Sequence, residues 1–317
     1  MKFAPLLCLL LLIPLLSPAQ FAQQELPDPC NGSSDLCSRR YYQVTFPETH
    51  NAHATLDEDF LVYAANHRSN LSNQYDAGYR AFMIDAHPRL PEATAPEDTA
   101  FCHGSSATPF HPCAYGSINA VELLSTLHAK MNETPRDVVT LLLEVAVPFE
   151  NIEYIFMESG LIERVHVQRM DQAWPTLEQM IDSGRNLVVF VEARADSSYP
   201  WLHDFTAQGW TTDFAESSSA DQTCEVYRGD GAQPVWHLNN WLSNEQGLST
   251  WTGAAEINDY DFLLARALEC WEFQGRRPTF IAVDWWTEGD AVAVTQTLNA
   301  MDHWSDEPPL RATTDSR

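Results

Sequence analysis

Val138-Val139-Thr140-Leu141-Leu142-Leu143-Glu144-Val145-Ala146-Val147 is the stretch on which the fold turns. It is apolar on both faces except at Thr140 and Glu144, as a strand is when helices cover one side and a core fills the other. Related runs occur at Arg80–Ile84, Leu187–Val191 and Phe280–Val283; a further strand is predicted over Tyr42–Phe46, and a short one closes at Phe101. Helical spacing is predicted over Ser69–Ala77, Ile118–Met131, Leu177–Ile181, Asp259–Trp271 and Asp290–Ala300, with Val121, Leu124 and Leu127 sharing one face of the second. Strands alternating with helices indicate a parallel sheet in an α/β fold. Residues Pro200–Trp251 read as loop-rich, and no repeat or linker divides the chain.

The first residues are set apart before the fold is considered. Lys2, an apolar run from Leu6 to Leu16 and Ser17-Pro18-Ala19 have the order of a secretory signal, so cleavage is expected after Ala19. That run is too short to span a bilayer. About 298 residues then remain, slightly above the ~250 typical of a (β/α)8 barrel. A doubly wound sheet is the alternative, but it normally carries a Gly-rich turn after its first strand, and Pro47–His53 contains no glycine. The expected organisation is a signal at 1–19, a cysteine-containing lead-in at 20–40, a single-domain TIM barrel at 41–302 and a polar tail at 303–317.

Composition narrows the partners. The 317 residues carry 18 basic and 44 acidic side chains, a formal charge of −26. Phosphate backbones need a basic surface, so a nucleic-acid partner is excluded, and an anionic membrane would repel the chain. No later run reaches membrane-spanning length. After Cys8 leaves with the signal, six cysteines remain, an even number suited to disulfides in a secreted protein. Their spacing suggests Cys30–Cys37, Cys102–Cys113 and Cys224–Cys270. Asn31, Asn70 and Asn132 begin glycosylation triplets. Oligomeric state is not legible.

The chemistry is read from what ends the strands. His50-Asn51, Asp85, His103, Glu144 and Asp284 terminate apolar runs, and in a barrel all strand C-termini meet at one mouth. A carboxylate interrupting the run at Glu144 calls for a partner, and with few basic residues nearby a cation is expected. Asn51, Asp85 and Glu144 offer oxygen ligands suited to Ca²⁺ or Mg²⁺ rather than zinc. His50 and His103 can serve as base and acid, with Asp284 orienting one imidazole. No GxSxG, P-loop or GxGxxG occurs.

The ordered set Val44–Ala52, Gly78–Asp85, Cys102-His103-Gly104, Val138–Glu144, Trp174–Leu177 with Leu187–Val191, and Pro278–Asp284 resembles the phosphatidylinositol-specific phospholipase C X-domain superfamily, and within it the secreted, cysteine-containing PLC-like phosphodiesterases. The resemblance spans roughly Tyr42 to Asn299. It implies a distorted TIM barrel and a phosphodiester substrate such as a phospholipid headgroup, cleaved on the glycerol side through a cyclic phosphate. It also implies that His50 is the first catalytic histidine and His103 the general acid, with Asn51, Asp85 and Glu144 around a divalent metal, Ca²⁺ before Mg²⁺. Two departures stand out. Met83 occupies the place of another acidic metal ligand, and the lysines that grip phosphorylated inositol have no counterpart, leaving Arg194 as the candidate phosphate contact. Plain phosphatidylinositol, a glycan-linked inositol or another phosphodiester is therefore expected. A barrel that binds without turnover, and a glycerophosphodiester or phospholipase D-type reaction, are the competing readings.

Overall fold

The computed structural model describes residues 28–104, 110–214, 216–244 and 248–301. The expected signal and the polar tail lie outside the described residues. Ten strands follow in chain order: β1 (Phe46–Thr49), β2 (Ala81–Pro88), β3 (Thr99–Phe101), β4 (Ile118–Asn119), β5 (Val139–Val145), β6 (Leu187–Val191), β7 (Leu202–Asp204), β8 (Gly209–Thr211), β9 (Val235–Asn240) and β10 (Phe280–Val283). Eight of them lie side by side in the order β7-β6-β5-β2-β1-β10-β9-β8, every neighbouring pair parallel. β3 and β4 form a short antiparallel arm on the end of β2.

This is the expected α/β barrel with one seam open. β7 and β8 are consecutive in the chain but are not hydrogen-bonded neighbours. The single-turn helix Phe205–Gln208 joins them, and Phe205 packs into the barrel bore.

Period-two alternation sorts the side chains into two cores. Phe82, Ile84, Leu141, Leu143, Val189, Val191, Ile281 and Val283 face outward, against helices that include Ala120–Glu133, Phe149–Glu158, Tyr260–Gln274 and Ala291–Ala300. Phe46, Ala81, Met83, Leu142, Val188, Phe190, Phe280 and Ala282 fill the bore. The lead-in closes its lower end: Leu36, Tyr41 and Trp174 belong to the bore cluster, Tyr41 stacks on Trp174 at 4.6 Å, and its hydroxyl meets Thr140 Oγ1 at 2.6 Å. The disulfides are the three expected pairs. Asn31, an expected glycosylation site, is committed to the fold, its side chain both accepting from and donating to the Val138 backbone.

Two expectations shift. The strand placed over Tyr42–Phe46 lies at Phe46–Thr49, and Tyr41–Gln43 is a 3₁₀ turn. Pro47 has the look of a strand stop, yet its missing N–H is harmless. The Pro47 carbonyl faces Arg80, on the side where pairing with β2 begins only at Glu48. Secondly, the loop-rich stretch Pro200–Trp251 contains β7, β8 and β9. Trp210 and Trp236, stacked at 4.6 Å and 2°, hold β8 on β9 and contribute about 1 kcal/mol beyond their burial.

Buried histidines make the fold acid-sensitive. His203, on β7, donates Nε2–H to the His166 carbonyl and accepts from Gln208 Nε2 at Nδ1, so both ring nitrogens are used in the neutral form. Burial lowers its pKa to about 4. The unfolded ring takes its proton near the ordinary 6.5 while the folded ring does not, so stability contributed above pH 6.5 is lost as the pH falls. Asp85, whose buried carboxyl is raised, acts in the opposite sense, so the effect must be read by difference. Between pH 7 and 5 the wild type is expected to lose about 2 kcal/mol more than His203→Gln. Urea titrations at the two pH values check this; equal slopes would refute it.

Candidate active site

Extending the alternation past the bore residues identifies the groups at the mouth. Met83 is inward, so Asp85 and His87 follow it on the same face of β2. Leu142 leads to Glu144, Phe190 to Glu192, and Ala282 to Asp284. β1 contributes Glu48 and then His50, and β9 contributes His237, Asn239 and then Trp241. Register places Asp85 directly beside Glu144.

His50 is the best-ordered of these groups. Its Nδ1 lies 3.0 Å from Asp284 Oδ1, and Asn51 Nδ2 lies 3.2 Å from its Nε2. A carboxylate accepts and an amide NH₂ donates, so the neutral ring carries its proton on Nδ1, and its Nε2 lone pair accepts from the Asn51 amide. The indole of Trp241 stacks on the imidazole at 3.9 Å and 5°. His67, buried and pushed down to about pKa 4 by that burial, donates Nε2–H to the His50 carbonyl at 2.7 Å.

Asp284 is 1% exposed and heavily held. Asn66 Nδ2 donates to Oδ1 at 2.9 Å, Asn258 Nδ2 donates to the Asp284 carbonyl at 2.8 Å, and the Asn66 carbonyl takes the next N–H, that of Trp285. Burial works to raise its pKa, but the charge and hydrogen bond of His50, with His67 and Ser249 behind them, leave it below the ordinary value. Both strand ends turn through the left-handed region at the next residue, Asn51 at φ 50° and Trp285 at φ 49°.

His103 is half-buried and donates Nδ1–H to the Ala64 carbonyl at 2.7 Å, leaving Nε2 as its second nitrogen. Burial lowers its pKa, the Ala64 contact works against that, and the charges of His50 and Asp284 act on it in opposite directions. Its neighbour Cys102 is bonded to Cys113 and donates its backbone N–H to the Asp85 carbonyl.

The acids do not match the sequence expectation in every respect. Asp85 is buried, and its pKa is raised well above the ordinary value by that burial, then by Glu144 and Glu192. Glu144, expected to be a buried charge inside an apolar strand, is exposed, because position 144 stands at the lip where the bore opens. Thinned hydration and the charge of Glu192 raise its pKa, while Arg228 and His50 pull it back. Met83 lies in the bore below Asp85. Among the described residues no three His, Cys, Asp or Glu side chains gather as a metal-holding group; Asn51, Asp85 and Glu144 amount to two carboxylates and one amide.

Arg194 sits exposed on the loop beyond β6. The arginine tied into the mouth is Arg228, bonded to Glu192 at 2.6 Å and lying over the Phe214 ring at 4.8 Å. A sequence signal for Glu192 exists, since it ends a buried strand. Trp241 and Arg228 fall in the stretch that reads as loop, and Asn66 carries no pattern at all.

Trp285, the first of the Trp285-Trp286 pair, is fully buried and donates its indole N–H to Ser249, so it packs rather than lining the mouth. Nitrogen NMR of His50 at pH 8 is expected to show the Nδ1–H tautomer, and Asp284→Asn should shift the ring toward Nε2–H. A ring protonated at Nε2 in the wild type would contradict the geometry.

Comparisons with known proteins identify the family and the fold. The PI-PLC X family model matches residues 36–299. PI-PLC X domain-containing protein 1 of Arthroderma benhamiae is 26% identical over 298 residues, covering 86% of this chain and 90% of that protein. An uncharacterized secreted protein of the same organism is 24% identical over 286 residues, covering 83% of this chain and 61% of that protein. Among solved structures, a pentafluoro-Phe form of phosphatidylinositol-specific phospholipase C from Staphylococcus aureus shares the fold with a TM-score of 0.51 at 15% identity, over 81% of this chain and 92% of that one.

Proposed function

The chain belongs to the PI-PLC X family, and on that footing we propose that it is a secreted phosphodiesterase of phospholipase C type, acting on phosphatidylinositol or a related diester. The observation that carries the reading is the pair of imidazoles with opposite preparation. His50 is held through Nδ1 by Asp284, which makes Nε2 its basic nitrogen, with a lone pair that accepts from the Asn51 amide, and His103 is pinned through Nδ1 with its other nitrogen left for proton delivery. The three disulfides and a secreted relative support an extracellular site of action.

In this mechanism the substrate hydroxyl next to the phosphate displaces the Asn51 amide from His50 Nε2, which takes the hydroxyl proton as that oxygen attacks phosphorus. As the bond from phosphorus to the glycerol oxygen breaks, His103 gives its Nε2 proton to the leaving oxygen. The products are a cyclic phosphate and diacylglycerol. Asp284 stays ionised throughout and stabilises the imidazolium formed at His50, which its low pKa permits.

A divalent cation fits beside this pair. Two carboxylates in register, Asp85 held toward its protonated form by burial and neighbouring acids and Glu144 by thinned hydration and Glu192, are a hard-oxygen set short of positive charge, and such a set suits Ca²⁺ or Mg²⁺ retaining several waters. Asp85 and Glu144, with the amide oxygen of Asn51, would hold it. A bound ion would supply charge stabilisation at the phosphate oxygens.

Purified protein is expected to convert phosphatidylinositol to a cyclic product, and His50→Ala or His103→Ala should reduce kcat/KM by at least ~100-fold. Because His103 must be protonated and its pKa is lowered, the alkaline limb of kcat/KM should fall below pH 6.5. Absence of turnover across phosphatidylinositol and a phosphodiester panel, or normal turnover by the alanine variants, would sink the proposal. Separately, calcium at about ten times its Kd should raise the wild-type Tm by about 3 °C, and Asp85→Asn should abolish the shift. A shift retained in that variant would remove the metal from this site.

A further inference from the structure

Arg228 is an arginine that the family pattern did not single out. It lies on the segment between β8 and β9, anchored by three backbone bonds: Thr211 N–H donates to the Arg228 carbonyl, and the N–H groups of Tyr227 and Arg228 donate to the Thr211 carbonyl. Thr211 ends β8, so this anchor sits at the mouth. Arg228 Nη1 donates to Glu192 at 2.6 Å, and its buried Nε has no partner among the described residues. One face of the guanidinium lies over Phe214, whose ring is 6.3 Å from Trp241, the indole stacked on His50. Arg228 is also close enough to Glu144 to lower its pKa. A continuous wall thus runs from the base His50 to this guanidinium.

Charge balance gives the wall its meaning. Asp85, Glu144 and Glu192 face the same opening, and an anionic diester entering there needs a permanent cation. From this geometry we infer that Arg228 binds the phosphodiester and that Glu192 sets headgroup specificity, holding Arg228 in place while repelling any additional phosphate on the ring. A headgroup with the diester as its sole charge pairs with the Arg228 guanidinium; a second phosphate meets three carboxylates. The inference rests on the phosphodiesterase reading and adds to it a specificity residue and a phosphate contact.

The test compares wild type, Arg228→Ala, Arg228→Lys and Glu192→Gln on vesicles of phosphatidylinositol and of its 4-phosphate. The far-side variant Arg185→Ala serves as control, and melting curves establish that each variant folds. Arg228→Ala is expected to lower kcat/KM on phosphatidylinositol roughly 100-fold, mainly through KM, because a charge-assisted contact made in ground and transition states alike is removed. Arg228→Lys should recover about a tenth of the activity, since an ammonium keeps the charge but not the fork. Glu192→Gln should raise the ratio of phosphorylated to plain substrate at least ~10-fold. A folded Arg228→Ala within threefold of wild type, or an unmoved ratio in Glu192→Gln, overturns the inference. Calorimetry with inositol 1,2-cyclic phosphate keeps the two readings separate when wild type turns over neither lipid. Binding by wild type that Arg228→Ala loses would support the phosphate contact without the enzyme, whereas equal or absent binding would overturn it.

Discussion

Inside a parallel barrel every second residue of every strand must point into one shared bore, and that constraint decides where polar chemistry can stand. Near the lower end the bore is filled by Phe46, Val188, Val235 and Phe280. At the upper end the same inward face carries His50, Asp85, Glu144, Glu192, Trp241 and Asp284. Between the two lies an exception, the fully buried pair Glu48 and His237, 2.6 Å apart. The separation is that of an ion pair, although the ring N–H does not point along it and both groups lack a well-aligned hydrogen bond. They sit on β1 and β9, on either side of β10, and reach each other past Ala282, the partner of Glu48 across the sheet. A larger side chain there would keep them apart. Such pairs add little net stability, but this one ties together the two strands whose next mouth groups are the stacked His50 and Trp241.

Much of the barrel is legible in the sequence because apolar periodicity survives wherever a strand has apolar neighbours on both faces. Leu187–Val191 and Phe280–Val283 lie at their expected positions, and His50, Asp85, Glu144 and Asp284 are recoverable as the residues that end such runs. Legibility fails where the inward face is polar. β9 reads Val235-Trp236-His237-Leu238-Asn239-Asn240, and its inward His237 and Asn239, with Asn240 after them, look like loop. The same polarity hides Trp241. Glu144 misleads for a related reason: letters show that an acid interrupts a strand but not that the strand ends one residue later at an open lip.

The turns after the two strand ends show how His50 is aimed. Asparagine tolerates the left-handed region at position 51, whereas a tryptophan there, as at Trp285, costs on the order of 1–2 kcal/mol. The surroundings hold it in place: its N–H is taken by Asn66, its indole N–H by Ser249, and its ring packs with Ala54, Phe60, Ala65 and Ala254. Asn66 thereby restrains both the backbone after Asp284 and the carboxylate itself. The strain is confined to the residue after Asp284, where it turns the chain out of the barrel without moving the acid from His50.

The proposed action on an anionic diester by so acidic a chain poses an electrostatic problem that local geometry has to solve. With a formal charge of −26, the long-range field opposes the substrate, and salt at physiological strength screens it beyond about 8 Å. Short-range attraction must then come from Arg228, from the cation that Asp85 and Glu144 would hold, and from the imidazoles when protonated. Each of these acts within a Debye length and in a partly dehydrated mouth, where one well-placed charge outweighs many distant ones. The same reasoning underlies the proposed discrimination against multiply phosphorylated headgroups. Each added phosphate gains no new cation and meets the surplus of carboxylates, so the specificity proposed for the mouth is for a diester that carries its charge at the reacting phosphorus alone.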